Sequence, residues 1–75
     1  MNKNRRKELD IVVTQLEQIA TKLEQIKDEE DEARENMPEN LESSEQYETS
    51  EQCSDAIEDA LNNVEEAIKS ITEIT

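Results

Sequence analysis

Glycine, histidine, phenylalanine and tryptophan are all missing from these 75 residues, and proline, cysteine and tyrosine occur once each. Without glycine, the chain lacks the glycine-rich turns that a compact domain of mixed structure needs and any glycine-rich loop to hold a phosphate. Without histidine, the usual acid–base partner and the commonest metal ligand are gone. A single cysteine excludes an internal disulfide or a thiolate metal cluster, and it fits a reducing compartment. No apolar run approaches the ~20 residues of a membrane span, and the amino end lacks a signal-peptide core. Basic residues are scarce as well, 8 against 21 acids for a net charge of −13, a poor footprint for direct nucleic-acid or anionic-membrane binding.

What remains is a strong helical pattern. Leu9, Val12, Leu16, Ile19, Leu23 and Ile26 recur at alternating intervals of three and four, and so do Ile57, Leu61, Val64, Ile68 and Ile71. That alternation keeps one seam on one face of a helix, which the period of two in a strand cannot use. Composition alone, 32% hydrophobic and 39% charged, resembles a disordered chain, but the regular seam argues for order.

Two helices are therefore predicted, one from about residue 4 to 36 and one from about 44 to 74, joined by a turn over about 37–43, as a single hairpin spanning 1–75. Pro38 disfavours helical geometry at Met37, and Asn36 or Asn40 can take the left-handed conformation at a helix end. Ser43 with Gln46 fits a capping box for the second helix, which starts at Ser43 or Ser44. Near-equal lengths and a short link predict an all-α, antiparallel two-helix coiled-coil hairpin. Each helix also carries a third apolar position per heptad: Val13 and Ala20 in the first, Cys53, Ala60, Ala67 and Ile74 in the second. Such width belongs to a bundle, so these six residues are the expected oligomer interface of a homodimer with four helices, the alternative being partner chains of another kind that complete the bundle.

The seam thins towards the loop, where Glu30, Ala33 and Met37 face Ser43, Tyr47, Ser50 and Ser54. Residues 28–51 hold eleven acids and one base, Arg34, so the loop end carries −10 of the −13 and is expected to open first. The opposite end carries Lys3, Arg5, Arg6 and Lys7, expected to pair with acids such as Glu66 and Glu73. The run Asp28 to Glu32 lacks the alternating oxygens and glycine of a calcium loop and continues the helical heptad. No metal, cofactor or catalytic residue is predicted, and a slender hairpin offers no sheltered pocket to separate carboxylate pKa values. Cys53 could sit at a dimer seam but is expected as a small buried hydrophobe.

The acids that could form a partner-binding surface are Asp28, Glu29, Asp31, Glu32, Glu35, Glu42, Glu45, Glu48, Glu51, Asp55, Glu58 and Asp59. Their plain role is solubility. Their sharper role is imitation of a phosphate backbone, since a protein that binds nucleic acid presents a basic groove that an acidic rod can occupy.

The opening Met-Asn-Lys-Asn-Arg-Arg-Lys-Glu-Leu, the central stretch of residues 29–45 with its Asn-Met-Pro-Glu-Asn-Leu turn, and the closing Ala-Ile-Glu-Asp-Ala-Leu and Glu-Glu-Ala-Ile resemble small acidic helical proteins of Firmicutes and their phages. The resemblance spans most of the chain and implies a mobile-element setting in the cytoplasm of a bacterial host, with no residue roles to carry over. The expected function is a non-enzymatic acidic protein-binding module, a phage-type stoichiometric inhibitor of a host or defence protein acting by nucleic-acid mimicry. The alternative is a structural or adaptor coiled coil whose acids only keep it soluble. Neither reading involves nucleic acid or membrane directly.

Overall fold

The computed structural model describes residues 1–41 and 44–75 as two helices in antiparallel contact, α1 (Lys3–Glu35) and α2 (Glu45–Ile74), with a short 3₁₀ turn (Glu39–Leu41) between them. The result is a rod with Cα extents of 59 × 14 × 12 Å. Asn2 starts α1, its side-chain oxygen accepting from Arg5 N–H at 2.8 Å, and Ser44 starts α2 by accepting from Tyr47 N–H at 3.2 Å. Ser43, predicted as the alternative cap, lies outside the described residues.

The end of α1 differs from expectation. Asn36 sits at φ −88°, ψ 1°, and no residue described has a positive φ. The turn is closed by tightening instead: Met37 N–H donates to Arg34 carbonyl at 3.1 Å and Asn36 N–H to Glu32 carbonyl at 3.1 Å, so these two carbonyls near the helix end are satisfied without a left-handed residue.

Along α2 the structure keeps the predicted seam. Tyr47, Ile57, Leu61, Val64, Ile68 and Ile71 are half-buried, and Ser50 and Ser54 are buried. Along α1 the seam is rotated. Leu9, Leu16, Leu23, Glu30 and Met37 face inward as expected, but the positions between them are Val13, Ala20, Lys27 and Arg34, all half-buried, rather than Val12, Ile19, Ile26 and Ala33, all exposed.

Two columns of α1 competed for that place, both spaced by seven. The 13-20-27-34 column takes it, which brings the Arg34 guanidinium over the Ser50 and Ser54 hydroxyls and gives these buried polar groups a charged donor. Small Val13 and Ala20 let the helices meet there. Val13 and Ala20, assigned above to the outward interface, thus face α2. No apolar side chain among the described residues is fully buried.

Candidate functional site

The rotation of α1 creates two unlike faces. In an antiparallel pair, residues one step before the seam on each helix fall on one side of the rod and residues one step after it fall on the other. The first side collects Val12, Ile19, Ile26 and Ala33 of α1 with Cys53, Ala60, Ala67 and Ile74 of α2. Ile26, Cys53 and Ile57 line one shallow open groove there, with Glu29 and Glu30 at its edge, so the two apolar columns do meet across the seam, and Cys53 is exposed on this face rather than buried as expected. A second shallow groove continues toward the loop between Met37, Gln46, Thr49 and Ser50.

The second side collects acids. Asp10, Glu17, Glu24, Asp28 and Glu35 of α1 share it with Glu48, Glu51, Asp55, Glu58 and Glu65 of α2, and all ten are exposed. Bases on this side, Lys3, Lys7 and Lys69, cluster at the chain termini. Lys27 and Arg34 border it but are turned into the seam. Lys27 is held above the ordinary lysine value first by its hydrogen bond to Asp31, with Glu58 and Asp28 contributing.

At the boundary of seam and acidic face sits a polar clasp. Arg34 Nη1 donates to Ser54 Oγ at 2.8 Å, to Ser50 carbonyl at 3.1 Å and to Ser50 Oγ at 3.2 Å, while its Nη2 donates to Asp31 Oδ1 at 2.9 Å. Ser54 Oγ donates to the same Asp31 oxygen at 2.6 Å, and Lys27 Nζ reaches the other at 3.0 Å. Three donors on one carboxylate hold Asp31 down at about 2, the Ser54 hydroxyl contributing most, then Lys27 and Arg34. The same contact with Asp31 raises Arg34.

Of the twelve acids predicted as a partner surface, the structure brings Asp28, Glu35, Glu48, Glu51, Asp55 and Glu58 onto one face. Glu32, Glu45 and Asp59 point outward from the backs of the helices, and Glu29 lies on the apolar side, bonded to Gln25 at 3.1 Å. Asp31 is a structural residue of the clasp rather than a free surface acid. Glu42 lies outside the described residues. Sequence reading missed Asp10, Glu17, Glu24 and Glu65, although their spacing by seven marks one face.

Lys3, Arg5, Arg6 and Lys7 do not pair with Glu66 or Glu73. Among the described residues the ion pairs are Lys27–Asp31 and Arg34–Asp31, and Lys3 to Lys7 leave their charge at the end of the rod. No group of three or more described acids or cysteines has a geometry for holding a metal ion, and no described helix is long and apolar enough to cross a membrane. In comparison with known proteins, no protein family matches the chain, and neither the curated proteins nor the solved structures yield a match.

Proposed function

We propose that this chain is a non-enzymatic protein-binding module that presents its acidic face to the basic nucleic-acid groove of a host or defence protein, as a phage-type stoichiometric inhibitor. One observation carries the reading: ten exposed acids share one side of the rod, and between the levels of Asp10 and Glu35 the one exposed base among them is Lys69. Those levels are 25 residues apart, or about 37 Å, so the face carries a charge every ~4 Å. One strand of a duplex carries one every ~3.4 Å. The density thus matches a single strand and falls short of a full duplex, which makes single-strand-binding grooves the better target.

Binding of this kind weakens steeply as salt screens it. The test is capture of partners from host lysate at low and high salt, with and without competing single-stranded and duplex DNA. Replacing Glu48, Glu51, Asp55 and Glu58 by Lys should abolish capture while circular dichroism stays helical, because Lys and Glu favour helix about equally. Capture that ignores salt, DNA and the charge reversal refutes the proposal.

The second reading, an adaptor coiled coil, is favoured by the uncovered apolar face. It requires binding to survive the charge reversal and to fail when Ile19 or Ile26 is made polar.

A further inference from the structure

We propose that the apolar face is the docking surface for a second copy of this chain, the two rods running antiparallel so that each loop end lies against the partner's chain termini in a four-helix bundle. The surface is a continuous stripe. Val12, Ile19 and Ile26 are 38%, 48% and 39% exposed, and beside them run Cys53, Ala60, Ala67 and Ile74 on α2. By contrast, Ile11, 59% exposed, stands alone on the back of α1, directly opposite the seam.

The border of this face admits another strongly acidic molecule. On α2 the next column outward is Thr49, Ala56, Asn63 and Ser70, four exposed positions without a charge in a chain that is more than a quarter acidic. Close approach of a like-charged copy is therefore unopposed along that side. The stripe from Val12 to Ala33 is about 32 Å long, and two helices are roughly 20 Å wide, which gives roughly 600 Å² per copy. Counted over both copies that is about 1,200 Å², the lower end of specific interfaces. The occupied face also supplies what one hairpin lacks, since no apolar side chain described is fully buried in the single chain.

Charge selects the orientation. With both loops at one end, two segments of −10 each, residues 28–51 of each copy, are superposed. Turned end for end, the unpaired Lys3, Arg5, Arg6 and Lys7 of each copy meet the acidic loop of the other, and Arg5, on the same column as Val12, comes near the level of the partner's Glu39. Centring the stripes then sets Ile19 beside the partner's Ile26 and Ala60 beside the partner's Ala67, a large pair and a small pair side by side. The two acidic faces point away from each other, so the assembly is divalent. The proposal stands on the apolar face and does not depend on what the acids bind.

The experiment combines mass and distance. Sedimentation of the full chain at micromolar concentration should give twice 8.7 kDa. Ile19→Asp combined with Ile26→Asp should give a helical monomer, and Ile11→Asp should leave the dimer intact. Spin labels on Gln52→Cys in a Cys53→Ser background, on the back of α2, should lie about 35 Å apart in the antiparallel dimer and under ~25 Å if the loops coincide. The label measurement stands even where the double aspartate variant fails to fold. A monomer at micromolar concentration, equal dissociation by Ile11→Asp, or the shorter label distance overturns the proposal. So does a protein of other sequence seated on this face while the chain itself stays monomeric.

Discussion

Ser54 Oγ and Asp31 Oδ1 meet at 2.6 Å across the helix pair, joining residues 23 apart in sequence through the shortest polar contact of the clasp. Ser54, 4% exposed, is one of the two buried residues described, and the other, Ser50, lies one turn away in the same network. The tightest point of the hairpin is thus polar, and it sits towards the loop, where composition predicts the weakest packing.

Replacing Ser54 with Ala removes a buried donor to Asp31 and an acceptor for Arg34. Chemical denaturation should show a loss of roughly 1–2 kcal/mol, the scale of a buried hydrogen-bonded group. Ser54→Thr, which keeps the hydroxyl, should lose less.

The clasp gives stability a defined acid dependence. Asp31 in the folded state titrates at about 2, below the ~3.9 of a free aspartate, so its contribution is complete above about pH 4 and disappears as pH falls towards 2. Thermal melts of the wild type and of Asp31→Asn should therefore differ at neutral pH and converge near pH 2. A constant gap across that window would mean that Asp31 is not held as the geometry requires.

Hydrogen exchange should reveal an island of protection. Amides around Ser50 and Ser54 should exchange more slowly than those of residues 45–48, although the whole region is acidic. Asp31→Asn should speed exchange at Ser50 and Ser54 and leave Val64 to Ile71 little changed.

In the bulky half of the seam, Leu16 and Leu61 are half-buried. Either one changed to Ala should cost about 2 kcal/mol, the low end of leucine truncations, because partial exposure limits what is lost. So small a fold should show this as a large drop in melting temperature.

Periodicity made the helices legible, together with the break at Pro38, the antiparallel pairing and the whole seam of α2, because each rests on residues close in sequence. The seam of α1 was legible only in half its positions. Leu9, Leu16 and Leu23 have neighbours on both sides, Val12-Ile19-Ile26-Ala33 and Val13-Ala20-Lys27-Arg34, and hydrophobicity favours the column that the structure leaves outside. The choice depends on hydroxyls 16 and 20 residues away from Arg34, which a pattern read along one helix does not contain.

The same distance separates what was read of the acids from what they do. Their number and their crowding near the loop follow from composition, whereas the withdrawal of Asp31 into the seam and the sorting of ten others onto one face required α2 to be set beside α1. Local hydrogen bonding and a repeated spacing are enough to make each helix. Which of its sides meets the other helix is settled by satisfying buried polar groups, and that is a property of the pair.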